Sequence, residues 1–156
     1  MNIIIALLNN RLFVAAGMSW FIAQLMKIII DIVKGKFTPD RLTGSGGMPS
    51  SHTATVSGLA ASAAAFQGLS SPDFAITLIL AFIVIYDALN VRYVAGLHSD
   101  ILNAMREDDY KNGKKTYFDK PLKDKLGHTL PEVAAGLLIG IPVGILVGLF
   151  FPTFPL

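Results

Sequence analysis

Residues 46–66 read GGMPSSHTATVSGLAASAAAF. A turn rich in glycine and serine leads to His52, after which almost every residue is small or apolar. Ala54, Gly58 and Ser62 recur every four residues, so a helix here carries a row of small side chains on one face. Such rows let two helix backbones approach closely in lipid. The stretch therefore predicts a short helix that packs tightly against others within a membrane.

A second row of small residues lies near the end of the chain. Gly136, Gly140, Gly144 and Gly148 are again four residues apart, in a segment that is otherwise aliphatic. Rows at this spacing form ridges along a helix and favour close crossings. We expect both rows to act as contact surfaces in a helical bundle.

The composition supports the membrane interpretation. Of 156 residues, 53% are hydrophobic and 15% are charged, whereas charged residues make up about a quarter of a typical soluble domain. The absence of cysteine excludes disulfides, thiolate metal sites and cysteine nucleophiles. The net charge is +2, with the basic residues in loops beside apolar blocks. This pattern suits anionic lipid headgroups better than nucleic acid, for which no motif is present.

The apolar blocks divide the chain into spanning segments close to the length of about 20 residues that a bilayer requires. They are Leu12–Val33, His52 to about Leu69, Phe74 to about His98, and Pro131–Phe151. Met1–Leu8 is too short to span and is expected at the interface. We predict an all-α, polytopic membrane bundle with about four transmembrane helices and a short N-terminal interfacial segment. Residues 1–156 form a single integral membrane domain.

Two long loops, Lys34–Ser51 and about Ser99–Leu130, lie on one side of a membrane that is crossed four times. They carry most of the basic residues, against Arg11 alone on the other side. These are Lys34, Lys36, Arg41, Arg106, Lys111, Lys114, Lys115, Lys120, Lys123 and Lys125. The positive-inside rule predicts a multi-pass protein of the cell membrane with these loops in the cytoplasm and both termini outside.

Polar residues within the spans gather toward the side of the long loops. Ionisable groups inside a membrane are costly, so they usually face a partner or a cavity. The first helix has Gln24, Lys27 and Asp31 on one face, and the second begins at His52. The third carries Asp87, Asn90 and Arg92 near its end. The fourth begins with Glu132, four residues after His128. Because successive helices run in opposite directions, all of these residues are expected near one membrane surface.

Phosphate chemistry suits two histidines, a lysine, several arginines and a glycine-serine turn. Lysine and arginine neutralise phosphate oxygens, and backbone N–H groups at the start of a helix bind anions. A neutral histidine can attack phosphorus while a second protonates the leaving oxygen. We expect this chemistry to use His128 and His52.

The residues also resemble a known family. P-S-S-H at 49–52 and H-x-x-x-E at 128–132 are similar to signatures of the type 2 phosphatidic acid phosphatase superfamily, to which vanadium-dependent haloperoxidases are related. W-F-I-A-Q-x-x-K at 20–27, G-G-M-P-S-S-H at 46–52, D-A-x-x-V-R at 87–92 and G-H-T-x-x-E-V at 127–133 resemble its small divergent branch more closely. The resemblance extends from about Trp20 to Gly140. It implies a membrane hydrolase that acts on a lipid phosphate or diphosphate through a phosphohistidine, without a metal or another cofactor.

The resemblance also implies roles for individual residues. His128 corresponds to the nucleophile, Glu132 to the acidic residue that orients it, and His52 to the proton donor. The residues expected to bind the substrate phosphate are Lys27, Arg41, Ser50, Ser51 and Arg92, with Asp87 in support. The third signature's serine-arginine pair is absent, and Arg92 is the candidate replacement. However, Arg92 lies five residues after Asp87, about 140° around a regular helix, so the two are not expected to face one cavity.

Structural interpretations compete with several of these roles. T-L-P-E at 129–132 has the form of a capping box, and Glu132 cannot fully serve both a helix end and His128. Lys27 and Asp31 have the spacing of an intrahelical ion pair, Asp87 is a candidate structural partner of Lys27, and Ser50 or Ser51 a helix cap.

Other functions are also open. One alternative is a non-catalytic protein that binds or moves phospholipid headgroups with a decayed phosphatase site. Another is a zinc or iron site formed by His52, His128, Glu132 and Asp87. The thin bundle is also compatible with a homodimer.

Overall fold

The computed structural model describes residues 3–35, 47–123 and 126–152, and the regular elements in these ranges are all helices. They are α1 (Ile3–Asn9), α2 (Arg11–Val33), α3 (Ser51–Gln67), α4 (Pro72–Tyr86), α5 (Arg92–Lys111) and α6 (Leu130–Phe150), with one π-helical turn at Asp87–Val91 between α4 and α5. Within the described ranges, three helices are long and apolar enough to cross a membrane: α2, the 40-residue run Pro72–Lys111, and α6. Together with the shorter α3, they confirm the predicted all-α membrane bundle of about four helices.

Helix α3 occupies the centre of the bundle. It has 17 residues, which gives a length of about 25 Å. It packs against α2, α4 and α6, and its contact with α6 is the most extensive between helices in the described chain. Nine of its residues are buried, all of them small or β-branched. Small side chains therefore allow one short helix to contact three neighbours at once.

The glycine row of α6 lies directly on α3. A Cβ atom added at Gly136 would lie 2.6 Å from the carbonyl oxygen of Ser50, and one at Gly148 would lie 2.9 Å from that of Ser62. The glycines between them meet the backbone of Ala54 and Gly58 in the same order. Residue numbers rise together on both helices, so α3 and α6 run parallel.

Helix α2 packs antiparallel to α3. A Cβ atom at Gly58 would overlap the side chain of Ser19. Farther along α3, the hydroxyl of Ser62 donates to the carbonyl of Arg11 at 3.4 Å. Nη1 of Arg11 donates to the carbonyl of Gly148 at 2.8 Å, and its guanidinium lies 4.7 Å from the ring centre of Phe66. One arginine thus joins α2, α3 and α6 at the end of the bundle farther from His52.

Side-chain caps determine where the helices begin. The side chain of Asn10 accepts from the N–H groups of Leu12 and Phe13, both at 3.1 Å. The hydroxyl of Ser71 accepts from the N–H of Phe74 at 3.1 Å, and Pro72 occupies the first turn of α4. A first-turn proline needs no N–H partner there, so both signals agree with the predicted start of the third span.

The third span extends beyond its predicted end near His98. The helix continues through α5 to Lys111, and its 40 residues give a length of about 60 Å, twice the hydrocarbon thickness of about 30 Å. Hydropathy falls where a helix leaves lipid, but helix formation does not stop there. The predicted loop Ser99–Leu130 is therefore helical in its first third.

The glycine row makes a prediction about stability. We expect Gly140→Ala to destabilise the protein by about 1–3 kcal/mol, because the new methyl group overlaps the backbone of Ala54 and the hydroxyl of Ser57. Gly17→Ala is the matched control, since a Cβ there meets nothing within 4 Å, and alanine favours a helix by about 1 kcal/mol over glycine. Thermal unfolding in detergent measures both. Equal stability of the two variants would contradict the close α3–α6 contact.

Candidate functional site

Four helix ends meet at one end of the bundle. The N–H of Ser50, just before α3, donates to the carbonyl of Glu132 in the first turn of α6 at 2.9 Å. The N–H of His128 donates to the carbonyl of Ala88 in the π-helical turn, also at 2.9 Å. Lys27, near the end of α2, lies close enough to act electrostatically on His52. His52, His128 and Glu132 therefore lie at the same end of the bundle.

The imidazoles of His52 and His128 face one another at this end. Their ring centroids lie 6.2 Å apart, with 54° between the ring planes. His128 is only 5% exposed, whereas His52 is exposed at the pocket surface. One pocket is therefore bordered by a buried imidazole and an accessible one.

Glu132 contacts both of the partners that were expected to compete for it. Its Oε2 lies 3.0 Å from Nδ1 of His128 and accepts from the N–H of Thr129 at 3.1 Å. The expectation that one carboxylate could not serve both was wrong, because a single oxygen has lone pairs for two donors. A carboxylate only accepts, so the proton of neutral His128 lies on Nδ1, and Nε2 keeps the lone pair.

The π-helical turn aligns Asp87 with Arg92. The N–H of Arg92 donates to the carbonyl of Asp87, five residues earlier, and Nε of Arg92 lies 2.6 Å from Oδ2 of Asp87. The expectation that these two residues face different directions was wrong, because it assumed a regular α-helix. One extra residue in the turn rotates the following helix and brings both side chains to one side. Such π-turns occur frequently at functional sites.

A pocket of about 260 Å³ lies between these groups. Its polar lining residues are His52, Asp87, Arg92 and His128, and the remaining wall comes from Ile83, Val84, Ala88, Leu126 and Gly127. The lining thus combines polar groups with aliphatic side chains. This combination suits a ligand with one charged and one apolar end.

Lys27 is a second cation that acts electrostatically on His52, although it is not among the lining residues of the pocket. It lies inside a predicted membrane span but is only 2% exposed, so its charged group lies within the protein instead of in lipid. Its electrostatic effect on His52 is shared by Arg92 and partly opposed by Asp87. A buried ammonium inside a membrane is costly, which marks the position as a candidate functional residue.

The two serines predicted to bind phosphate lie outside the pocket lining. The hydroxyl of Ser50 accepts from the N–H of Thr53 at 3.3 Å and from its hydroxyl at 3.0 Å, and it caps α3. Ser50 is fully buried, and Ser51 is only 6% exposed. These contacts agree with the helix-cap interpretation of Ser50. Arg41 lies outside the described residues.

A metal site was one of the alternatives. Among the described residues, no group of three or more histidine, aspartate or glutamate side chains is arranged to hold a metal ion. Nδ1 of His128 is hydrogen-bonded to Glu132, and His52 is the ring neighbour of His128.

Several residues that position His128 had no assigned role in the sequence. Gly127 adopts φ +77°, and a Cβ there would lie 2.6 Å from Cα of Tyr93, so only glycine fits. The side-chain amide of Asn103 donates to the carbonyl of Leu122 at 2.9 Å and accepts from its N–H at 2.8 Å. The G-H-T-x-x-E-V motif contained the signal for Gly127, whereas no local pattern marks Asn103.

These features define a helical membrane protein with a paired-histidine pocket at one end of its bundle. The chain belongs to the Divergent PAP2 family, which matches residues 8–143. It is 34% identical over 155 residues to the uncharacterized membrane protein YuiD of Bacillus subtilis strain 168, a match that covers 93% of this chain and 98% of that protein. No solved structure matches the chain. The predicted family resemblance is confirmed, whereas the roles of individual residues stay predictions.

Proposed function

We propose that the protein hydrolyses a lipid phosphate or diphosphate through a phosphohistidine formed on His128. One observation carries the proposal: His128, hydrogen-bonded to Glu132 through Nδ1, faces His52 across a pocket beside two cations. A nucleophile oriented by a carboxylate and opposed by a proton donor is the arrangement that phosphoryl transfer by histidine needs.

In the first step, Nε2 of His128 attacks phosphorus. A nitrogen–phosphorus bond forms as the bond from phosphorus to the lipid oxygen breaks, and His52 gives its proton to that oxygen. Glu132 stabilises the positive charge that develops on the ring of His128, as the acidic residue does in other histidine-based sites. Arg92 and Lys27 offset the negative charge on the phosphoryl oxygens.

In the second step, water releases the phosphate. His52, now neutral, accepts a proton from the water as its oxygen attacks phosphorus, and the nitrogen–phosphorus bond breaks. Inorganic phosphate leaves, and both histidines return to their starting protonation states.

The position of the pocket favours a lipid substrate. The histidines lie where α3 and α6 begin, so a phosphate at the membrane boundary reaches them while its tail stays in the hydrocarbon. The aliphatic lining residues Ile83, Val84 and Leu126 can contact the first carbons of that tail. The proposed substrate class is therefore a phosphate or diphosphate ester of a long-chain lipid.

The direct test is phosphate release by purified protein in vesicles that contain a panel of lipid phosphates and diphosphates. We expect release without added metal and inhibition by vanadate, which mimics the five-coordinate phosphorus of the transition state. Absence of release from every member of the panel would overturn the hydrolase proposal.

Substitutions at Glu132 separate its two contacts. We expect Glu132→Gln to keep the stability of the wild type, because glutamine also completes a capping box. Turnover should fall by a factor on the order of ten thousand, because in comparable triads an amide in place of the carboxylate holds the histidine in the wrong tautomer. Glu132→Ala removes both contacts, so it should also lower stability by about 1 kcal/mol. Phosphate release and thermal unfolding measure the two effects. Normal turnover in Glu132→Gln would leave this residue with a capping role alone.

The charge bias predicts which membrane face carries the site. The chain has no cysteine, so Lys114→Cys introduces a single thiol just beyond α5, on the same side as the histidine pocket. We expect an impermeant maleimide to label it in inverted vesicles but not in intact cells. The matched control is Gln67→Cys at the opposite end of α3, which should label in intact cells. The reverse pattern would place the pocket outside the cell.

One observation favours the non-catalytic alternative. Asp87 already neutralises Arg92, the only guanidinium in the described pocket lining. A site with one paired arginine holds a phosphate less strongly than the arginine-rich signature that the superfamily implies. Under this alternative, the protein binds phosphorylated lipids in vesicles, but no phosphate is released and no phosphoenzyme forms.

A further inference from the structure

A long apolar groove runs along the bundle away from the histidines. Its volume is about 740 Å³, and its floor is the face of α3 that carries Ala60, Ala61, Ala64 and Ala65. One wall comes from α4 and the other from α6, from Leu137 to Leu149. The lining is almost wholly aliphatic or aromatic. Helices α4 and α6 scarcely touch one another, so the alanine floor leaves an open cleft between them.

A third hollow on α4 lies between the groove and the histidine pocket. Phe82 lines both the groove and this hollow. Ile83 and Asp87 line both the hollow and the pocket of His52 and His128. The three hollows therefore follow one another along α4, from the groove to the histidines.

The groove is long enough for most of one lipid chain. Along α6 it extends from Leu137 to Leu149, a distance of about 18 Å. This exceeds half the hydrocarbon thickness of about 30 Å, which is the depth of one leaflet. Because α6 begins at Leu130, the groove begins some way from the histidines, and a chain whose phosphate lies at the histidines reaches the groove only with its later carbons.

We propose that this groove holds one hydrocarbon chain of the substrate and selects lipids that carry a long chain. The inference rests on the proposed function and adds a position and a specificity for the tail. A tail gains little hydrophobic free energy by moving from lipid into the groove, since both surroundings are apolar. Its effect is to orient the phosphate against His128, so it acts on catalysis more than on binding.

Filling the groove tests this role. Ala64→Leu places a larger side chain on the floor, and Ala75→Leu is the matched control on the exposed face of α4, outside the groove lining. We expect Ala64→Leu to lower kcat/KM for a long-chain alkyl phosphate by about tenfold or more, and to leave a short-chain alkyl phosphate unaffected. Ala75→Leu should change neither. Equal effects of Ala64→Leu on both substrates would overturn the inference.

Photocrosslinking of the wild type gives a result that does not depend on the variant folding. The probe is a long-chain alkyl phosphate with a diazirine near the methyl end of its chain, incorporated into vesicles. We expect its label on groove residues of α3, α4 and α6, reduced by unlabelled alkyl phosphate but not by the corresponding alcohol. Label spread evenly over the lipid-facing helices would overturn the inference. Absence of label from the groove, as expected if a second copy of this protein covers it, would also overturn the inference.

These outcomes separate the two proposals. Groove labelling without phosphate release would keep the tail site and overturn hydrolysis. Phosphate release that is independent of chain length, with label elsewhere, would keep hydrolysis and overturn the tail site.

Discussion

Replacing His128 by alanine is expected to lower phosphate release by at least about a thousandfold, because the residue is the proposed nucleophile of the covalent step. The loss should appear in kcat, since the lipid still reaches Arg92 and the apolar wall. Rapid quenching of the wild type with labelled substrate should also trap a phosphoprotein that is stable in alkali and labile in acid. The His128→Ala variant should trap none.

The matched control is His98→Ala, since the chain has three histidines and His98 is exposed on α5, outside the pocket lining. Its turnover and phosphoprotein yield should equal those of the wild type. Turnover retained by His128→Ala would remove the covalent mechanism. Thermal unfolding of both variants checks that a loss of activity does not come from a loss of fold.

Replacing His52 by alanine is expected to have the second-largest effect. General acid catalysis contributes about a hundredfold to ten-thousandfold, so release from an alkyl phosphate should fall by that amount. An aryl phosphate with an acidic phenol needs no proton on its leaving oxygen, and its loss should be about tenfold or less. The difference between the two substrates is the signature of a proton donor.

A uniform loss on both substrates would assign His52 a structural or binding role instead. The comparison is sharp because the side chain of His52 is exposed at the pocket surface. Its neighbour Thr53, by contrast, is fully buried and bonded to Ser50. A change at position 52 should therefore leave the start of α3 intact.

The same pocket explains how a small bundle can place charge at a membrane boundary. Lys27 lies inside the protein, and Arg92 is paired with Asp87, so neither cation faces hydrocarbon alone.

The membrane class, the approximate spans and the small-residue rows could all be predicted from the sequence, because each depends on short segments. Hydropathy reports which segments lie in lipid, and caps such as Asn10 and Ser71 mark where helices begin. Glycines at intervals of four mark the helix faces that pack closely. The convergence of His52, His128 and Glu132 followed from the alternating direction of the spans. Family membership followed from short motifs around the same residues.

Only the tertiary structure decided how the site residues are oriented. A single extra residue in the turn Asp87–Val91 brings Arg92 back beside Asp87, and no local pattern in an apolar helix signals where such a turn forms. The clamp of Asn103 on Leu122 likewise joins separate segments of the chain. The two contacts of Glu132 are local in sequence, but the sharing of one oxygen is seen only in the structure. Helix formation is a property of short segments, but the rotation of one helix against another is set by packing, which the sequence specifies only through the whole fold.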